Sequence, residues 1–294
     1  MTAIGFIGLG KMGAPMAARL CAAGHELTVL DASAEALAAF LAANAASSAH
    51  SARDLASSSD VVITMLPTSA IVAQVLHGAD GALAGLKPGA LVVEMSSGVP
   101  ATTQALAEDV LRAGGTLIDA PVSGGVARAL TGELAIMIGG ADDAVTRARP
   151  ILQAMGTSIL PTGAVGTAHA MKALNNLVSA AGLLVSVEAL LIGKRFGLDP
   201  AVMVDVLNAS TGMNNSTQKK LKPFVLSRRF NSGFGLELMV KDLSIALGIA
   251  RDGQVAAPLS SLTRELWAAA QAMQVGHDHT EIARLSERLA GLEL

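Results

Sequence analysis

The sequence has one cysteine, Cys21, one tryptophan and no tyrosine among its 294 residues, and only 15% of its residues are charged. A single cysteine excludes an intramolecular disulfide and is typical of a protein in the reducing cytoplasm, which is the location we expect. The 21 basic and 24 acidic residues give a net charge of −3, which predicts no strongly positive surface for nucleic acid or an anionic membrane. We therefore expect neither of these partners.

Apolar residues, by contrast, make up 51% of the chain, a content that excludes a disordered protein. The length allows a large core and two domains, and the apolar excess predicts buried subunit contacts in a homodimer or homotetramer. One apolar run, residues 177–193, resembles a membrane span. It is short for a hydrocarbon core of about 30 Å and contains Glu188, so a buried helix is the favoured interpretation.

A glycine-rich turn follows the first apolar run. Residues 3–7 (AIGFI) predict a buried parallel strand, GLGKMG follows at once, and a helix and a second strand (LTVLD) complete the unit. Gly8 permits a tight turn, Gly10 lets the backbone approach a pyrophosphate, and Gly13 lets the helix pack closely. The intervening residues of the turn are Leu9, Lys11 and Met12. The pattern predicts a dinucleotide site at the helix N-terminus, with a purely structural turn as the alternative.

An acidic residue, Asp31, ends the second strand at the distance expected for such a site. A carboxylate there can accept hydrogen bonds from the hydroxyls of an adenosine ribose and repels a 2′-phosphate. Ala32 and Ser33 follow, and no arginine is present to bind such a phosphate. NAD is therefore favoured over NADP. Asp31 could instead cap the next helix, and the two roles are compatible.

Further apolar runs alternate with helical stretches through the first half of the chain. They occupy residues 61–67, 91–97, 116–124 and 133–140. Repeated strand–helix units predict an α/β fold with a Rossmann-type, doubly wound sheet over residues 1–162. ILPTGAVG then predicts a Pro/Gly-rich turn, after which helical patterns dominate. We expect an all-α C-terminal domain, residues 163–294, for substrate binding and oligomerisation.

Lys172 lies near the start of the longest apolar helical stretch, for which Thr167 is a plausible N-cap. At 100° per residue, Lys172, Asn176, Ser179 and Ser186 share one stripe. A lysine on such a stripe can supply the proton that a carbonyl oxygen needs when hydride adds to its carbon, with Asn176 orienting that oxygen. The alternatives are a lysine that extends to solvent, and His169 as the acid–base group.

These motifs resemble those of the β-hydroxyacid dehydrogenase family, and the similarity runs from the first strand to about residue 290. GFIGLGKMGAPMA resembles its N-terminal signature, and GAVGTAHAMKALNN (163–176) its lysine signature, with Ala168 in place of one glycine. DAPVSGG (119–125) resembles its substrate segment and LMVKDLSIA (238–246) a later one. The resemblance implies NAD-dependent interconversion of a small 3-hydroxy acid and its semialdehyde or keto acid.

The resemblance also implies roles for individual residues. It makes Lys172, Asn176 and Ser123 catalytic, with Lys172 as the general acid/base. Substrate would be bound by Ser123, the amides of Gly124 and Gly125, Asn176, Phe234 and Asp242. Beside the glycine turn and Asp31, the cofactor would contact Leu66, Pro67, Ser97 and Lys241.

Several alternatives stay open at this point. The protein could reduce aldehyde acids of the glyoxylate or succinic semialdehyde type, or imines, although relatives that act on C=N bonds replace the lysine. A non-catalytic cofactor-binding relative would be expected to lack Ser123, Lys172 or Asn176. The polar loop STGMNNSTQ (210–218) favours a more hydroxylated substrate, or is an ordinary helix–helix loop. His277 and His279 have no further histidines near them in sequence, so a solvated turn or helix start is favoured over a metal site.

Overall fold

The structure is a computed structural model that describes residues 2–294. The chain forms two compact units, one ending at Lys172 and the other comprising Ala173–Leu294. The division falls inside one long helix, α8, rather than between elements. The functional boundary expected at residue 162 stays a prediction.

The first unit contains a nine-stranded sheet and seven complete helices. The strands are β1 (Ala3–Ile7), β2 (Glu26–Leu30), β3 (Ser47–Ser48), β4 (Val61–Thr64), β5 (Leu91–Glu94), β6 (Thr116–Asp119), β7 (Val122–Ser123), β8 (Leu134–Gly139) and β9 (Gly156–Gly163). The helices are α1 (Gly13–Ala22), α2 (Ala34–Ala43), α3 (Ala52–Ser58), α4 (Ser69–His77), α5 (Pro100–Arg112), α6 (Gly125–Thr131) and α7 (Asp142–Leu152), with a 3-10 turn at Ala82–Gly85.

The strand order is β3-β2-β1-β4-β5-β6-β8-β7, and β9 pairs with β8. The strands from β3 to β6 are mutually parallel, whereas β8 runs antiparallel to β6 and β7. Alternate residues of the central strands enter different hydrophobic clusters: Val61 and Ile63 pack in one, and Val62 in the other. A sheet with both faces buried follows from this alternation. The predicted doubly wound α/β architecture is confirmed.

Two local expectations were wrong. The run 116–124 is two strands, because Ala120 and Pro121 interrupt it between β6 and β7. The segment expected to be a Pro/Gly-rich turn contains most of β9, which is parallel to β8. Pro161 is tolerated there because, among the described strands, β9 pairs with β8 alone, so one side of β9 needs no donor.

The second unit is helical, which confirms the expected all-α C-terminal region. Its elements are most of α8 (Thr167–Phe196), then α9 (Pro200–Asn208), α10 (Asn215–Lys219), a π-helical segment (Leu221–Leu226), α11 (Leu236–Asp252), α12 (Pro258–Ala272), a 3-10 turn (His279–Glu281) and α13 (Ile282–Ala290). Leu183, Val187 and Leu190 of α8 pack in its core beside Trp267 of α12.

Helix α8 is long and apolar enough to cross a membrane, judged by length and composition alone. Half of its most apolar window is buried inside the protein, as in a core helix. Residues 177–193 are therefore part of a packed helix, as the sequence predicted.

Candidate active site

The glycine turn connects β1 to α1 with little free space around two of its glycines. Gly8 has φ of +103°, and a β-carbon there would lie 2.3 Å from the carbonyl oxygen of Met65. A β-carbon on Gly13 would lie 1.9 Å from the carbonyl oxygen of Gly8. Gly10 is different, because it is exposed and a β-carbon would meet nothing within 4 Å. Gly8 and Gly13 thus close the turn, and Gly10 leaves its outer side open.

The start of α1 has the features of an anion site. No side chain caps the helix, and its first turn contains no acidic residue. Free backbone N–H groups and the helix dipole favour a negative group at such an end. Lys11 is exposed beside it and Met12 is half-buried. The residues present therefore fit the pyrophosphate of a dinucleotide.

Asp31 accepts two backbone hydrogen bonds. Its Oδ2 lies 2.6 Å from the amide nitrogen of Leu9, and its Oδ1 lies 2.7 Å from that of Ser33. Ser33 in turn caps α2 by accepting from the amide of Ala36 at 3.2 Å. Each carboxylate oxygen has a second lone pair for another donor. Asp31 therefore braces the turn and the start of α2, and retains acceptor capacity for a ribose.

The loops after β4 and β5 lie side by side at the same edge of the sheet. The amide of Leu66 donates to Ser96 Oγ at 2.9 Å, which ties the two loops together. Pro67 follows Leu66 and is exposed, and Ser97 follows Ser96 and is half-buried. The carboxyl edge of a doubly wound sheet is where ligands bind. Three of the expected cofactor residues thus occupy adjoining loops at that edge.

Ser123 ends β7, and α6 begins two residues later. Gly124 and Gly125 have φ of +135° and +69°, a region that favours glycine. Both glycines are exposed, and no side chain caps α6. Their amides and the Ser123 hydroxyl are the donor types that a carboxylate requires.

A buried charged cluster holds the first turn of α8. Asp119, at the end of β6, accepts from the amides of Gly166 and His169, each at 2.8 Å. The expectation that Thr167 caps this helix was wrong, because the Thr167 hydroxyl donates to the carbonyl of Ala164. A carboxylate at a helix N-terminus also interacts favourably with the dipole. The cap thus comes from a residue that is remote in sequence.

The imidazole of His169 is enclosed, with 1% of the residue exposed. Its Nε2 lies 2.8 Å from Glu94 Oε2 and 3.0 Å from the carbonyl oxygen of Ser96. Its Nδ1 lies 2.8 Å from Thr103 Oγ1, whose hydroxyl donates to the carbonyl of Val99. With the Thr103 hydroxyl donating to Val99, every partner of the ring can act as an acceptor, an arrangement that favours the protonated imidazole.

Electrostatics agree with this protonation state. Burial by itself lowers the pKa of His169, but the neighbouring carboxylates, Glu94 foremost, outweigh it and raise that pKa above its ordinary value. Burial raises the pKa of Glu94, yet the His169 charge and hydrogen bonds from His169 and Ser96 bring it below its ordinary value. Burial dominates at Asp119 and raises its pKa. His169 is thus a buried partner of Glu94 and is poorly placed to be the alternative acid.

Sequence reasoning missed Glu94 and Asp119 as functional neighbours. Both are single acids at the ends of otherwise apolar buried strands, VVE and LID, and that pattern was the available signal. Gly98 belongs to the same cluster, because a β-carbon there would lie 2.9 Å from the His169 ring. Close packing of the loop after β5 therefore requires glycine at this position.

The predicted polar stripe of α8 is turned inwards. Lys172 and Asn176 are 8% and 7% exposed, so the lysine does not extend to solvent. Asn176 Nδ2 donates to Asp242 Oδ2 at 2.5 Å, and Asn175 donates to Asn176 Oδ1 at 3.2 Å. Lys241 Nζ lies 3.3 Å from the other oxygen of Asp242. In the second unit, the structure therefore brings together three of the expected site residues: Asn176, Asp242 and Lys241.

Phe234 packs edge-on against His279, with ring centroids 5.6 Å apart. His279 starts a 3-10 turn capped by Asp278, but it is buried rather than solvated. Burial, assisted by the charge of Lys220, lowers the pKa of His279 to about 4. The expected helix start is confirmed, whereas the expected solvation is wrong for His279 and holds for His277, which is exposed.

In the polar loop 210–218, Asn214 has a structural role. Asn214 Oδ1 accepts from the amides of Ser216 and Thr217 and forms a capping box for α10. Its Nδ2 donates to Ser186 Oγ at 3.0 Å, which docks the loop on α8. These bonds favour the interpretation of this residue as part of a helix–helix loop.

Comparison with known proteins agrees with the motifs. Residues 3–166 match the family described as the NAD-binding domain of 6-phosphogluconate dehydrogenase. Residues 166–286 match the family described as NAD-binding of NADP-dependent 3-hydroxyisobutyrate dehydrogenase. The two matches together span nearly the whole chain and meet at the start of α8.

Individual relatives match over the full length. The chain is 38% identical to 3-hydroxyisobutyrate dehydrogenase of Pseudomonas aeruginosa, covering 97% of this chain and 98% of the relative. It is 33% identical to 2-(hydroxymethyl)glutarate dehydrogenase of Eubacterium barkeri, covering 99% and 97%. A solved structure of Mycobacterium tuberculosis 3-hydroxyisobutyrate dehydrogenase with L-serine superposes with a TM-score of 0.89 at 33% identity, covering 97% and 98%. This chain therefore belongs to the β-hydroxyacid dehydrogenase family of NAD-dependent oxidoreductases.

Proposed function

We propose that the protein oxidises 3-hydroxypropanoates that carry a substituent at C2, and reduces the matching semialdehydes, with NAD as cofactor. The relatives' names give three such acids: 3-hydroxyisobutyrate, 2-(hydroxymethyl)glutarate and serine. All three have a primary alcohol, one carbon away from a carboxylate, and differ only in the group at C2. A single arrangement of residues can therefore bind the shared part of each.

The observation that carries the proposal is the buried pair Lys172 and Asn176, one turn apart on α8. A bound nicotinamide would supply the acceptor for the hydride of the carbinol carbon. We assign Lys172 Nζ to remove the hydroxyl proton during oxidation and to return it during reduction. Asn176 orients the reacting oxygen, and Asp242 holds the Asn176 amide at 2.5 Å.

We assign binding of the shared carboxylate to Ser123 and the amides of Gly124 and Gly125, and contact with the substrate to Phe234. Ser123 and the two glycine amides are hydrogen-bond donors at the end of β7. The Phe234 ring packs against His279. The glycine turn, Leu66, Pro67, Ser97 and Lys241 are assigned to the cofactor. Asp31 is assigned to the ribose hydroxyls, and its charge favours NAD over NADP.

The protein is also proposed to be a cytoplasmic homodimer or homotetramer. Val178, Val185 and Ile192 are exposed at intervals of seven residues along α8, so they form one apolar stripe. A cavity of about 480 Å³ beside Ile192 and Leu289 extends this apolar surface. Surfaces of this kind mark association sites. Light scattering at micromolar concentration should give a dimer or tetramer mass, and a monomer mass would contradict the proposal.

A substrate screen tests the catalytic proposal. The purified protein is mixed with NAD and each of the three acids, and NADH formation is followed by absorbance. Reduction is measured with NADH and the corresponding semialdehydes, with glyoxylate and a cyclic imine as competing classes. Oxidation of at least one C2-substituted 3-hydroxypropanoate is expected. Turnover of glyoxylate or the imine alone would reject the proposed substrate class.

A further inference from the structure

A lysine outside the assigned site is anchored to the same stripe of α8. Lys220 follows α10, and its Nζ donates to Ser179 Oγ at 3.0 Å. Ser179 lies three residues after Asn176 and seven after Lys172. These intervals advance about 4.5 Å and about 10 Å along a helix and keep the residues on one face. The Lys220 ammonium therefore lies next to the helix face that carries the proposed chemistry.

This ammonium is only partly satisfied. It has three N–H donors, and within residues 2–294 its single hydrogen-bond acceptor is Ser179. Lys220 is half-buried, so its remaining donors are only partly hydrated. An ammonium in this condition favours an added acceptor, best of all an anion.

The neighbouring titratable groups do not accept hydrogen bonds from the remaining N–H donors of Lys220. Asp278 acts on Lys220 through its charge, but its carboxylate oxygens already accept from the hydroxyls of Ser232 and Thr280 and the amides of Gly233 and Thr280. His279, the other titratable neighbour, has its Nδ1 within 2.9 Å of Ser232 Oγ. Burial lowers the pKa of Lys220 to about 8, and the charge of Asp278 opposes this shift. At pH 7 Lys220 is thus a charged group, and no carboxylate within residues 2–294 forms an ion pair with it.

Docking of α10 onto α8 does not require that charge. At the other end of α10, the neutral amide of Asn214 performs the same docking by donating to Ser186 Oγ. A neutral donor would also suffice opposite Ser179. The positive charge at Lys220 therefore points to a ligand rather than to helix packing.

We infer that Lys220 binds an anionic group carried by the C2 substituent of the substrate, and so makes this enzyme selective for 3-hydroxy acids with a second carboxylate. The inference rests on the proposed function, because that function makes the stripe of α8 the substrate face. Lys172 acts at the carbinol end of the substrate, and Lys220 at a charge several bonds away. The spacing along α8 suits a branched dicarboxylate better than a compact monocarboxylate.

The test compares two substrates that differ in the second carboxylate. These are 2-(hydroxymethyl)glutarate and 3-hydroxyisobutyrate, each assayed with NAD for kcat/KM. The wild-type protein should favour the dicarboxylate. Lys220→Met keeps most of the side-chain length and removes the charge, and it should lower kcat/KM for the dicarboxylate by about 10- to 100-fold, the loss of one charged hydrogen-bonded contact. The value for 3-hydroxyisobutyrate should change less than threefold.

Two further variants control the test. Lys219→Met removes the same charge from the adjacent, exposed residue and should leave both values unchanged. Lys220→Arg keeps the charge and should retain part of the preference.

The preference should also depend on pH. In the wild-type protein, the ratio of the two kcat/KM values should fall above about pH 8, where Lys220 loses its proton. Lys220→Met should remove this pH dependence. Asp278 and His279 titrate well below this range, and a pH effect on the chemical step that both substrates share cancels in the ratio.

The outcomes separate the inference from the proposed function. If 3-hydroxyisobutyrate is oxidised at least as well as the dicarboxylate, the function stands and the inference is rejected. Equal losses for both substrates in Lys220→Met also reject it, because they indicate a structural role. If neither acid nor serine is oxidised, the proposed function fails and the inference fails with it.

Discussion

The pKa values of two buried or half-buried cations, His169 on α8 and Lys220 beside that helix, shift in opposite directions. His169 has Glu94 at 2.8 Å and a second carboxylate nearby, and its pKa is raised. Lys220 has a neutral hydroxyl as its close partner, and its pKa is lowered to about 8. Burial disfavours the charged form of both groups, so the difference lies in the partners. A buried cation that is paired with carboxylates stabilises the fold, whereas a buried cation without such acceptors is available to bind a ligand.

The same contrast separates the two units. In the first unit the buried acids Glu94 and Asp119 accept backbone amides as well as interacting with His169. In the second unit the polar residues of α8 meet Asp242, Lys220 and Asn214 one at a time. The following substitutions test whether the two groups of residues differ as this comparison implies.

The largest effect is expected at Lys172, the buried lysine of α8. Lys172→Ala should slow the chemical step by roughly 10² to 10⁴, the usual range for a general acid–base group, and leave NAD affinity nearly unchanged. Lys172→Arg should restore little activity, because guanidinium retains its proton. Measurements of kcat, KM and NAD affinity decide this. Lys194→Ala, at the other end of α8, is the control, and near-normal turnover in Lys172→Ala would remove the lysine from the mechanism.

Glu94→Gln should reduce stability by about 3 kcal/mol. This is the lower end of the range for breaking a buried ion pair, because His169 can release its proton. Urea unfolding at pH 6 measures the loss, and Glu108→Gln on the exposed side of α5 is the control. A change in the free energy of unfolding below 0.5 kcal/mol would mean that the His169 cluster does not stabilise the first unit.

The effect of Glu94→Gln should also depend on pH. The pKa of Glu94 is lowered from 4.5, so its contribution is present above that value and is lost as the pH falls through the folded-state pKa. The pKa of His169 is raised from 6.5, so its contribution is complete below that value and is lost as the pH rises through the folded-state pKa. The stability difference between wild type and variant should therefore be larger at pH 5.5 than at pH 9.

Asp31→Asn tests whether an acid that already braces the backbone also selects the cofactor. The amide keeps one acceptor oxygen but removes the charge, so the preference for NAD over NADP in kcat/KM should narrow by about tenfold, the equivalent of one charged hydrogen bond. Glu35→Gln removes the same charge four residues later and should not alter the preference. A wild-type protein that works better with NADP would overturn the cofactor assignment.

The smallest effect is expected at the cap of α10. Asn214→Ala should cost about 1 kcal/mol of stability, as is usual for an N-cap, while kcat/KM stays unchanged. Asn215→Ala changes the exposed neighbour and should affect neither quantity. A loss of kcat/KM in Asn215→Ala at unchanged stability would instead assign the loop to the substrate.

Residue spacing over short stretches of sequence was enough to predict the dinucleotide-binding fold and the inward face of α8. A strand, a glycine turn, a helix and an acid follow each other within about thirty residues, so their order encodes the dinucleotide fold directly. The inward stripe of Lys172 and Asn176 follows from the helical period, which is also local. The family motifs combine these local patterns, and the matches over residues 3–286 agree with them.

The tertiary structure alone decided which groups meet across long sequence separations. Asp119 rather than Thr167 caps α8, Glu94 keeps His169 protonated, and β9 forms because β8 offers it an edge. Lys220 meets Ser179 although forty residues separate them. Periodicity describes which face a side chain occupies but not which remote residue packs against that face. The charge state of a buried group depends on that partner, so it emerges only once the chain has folded.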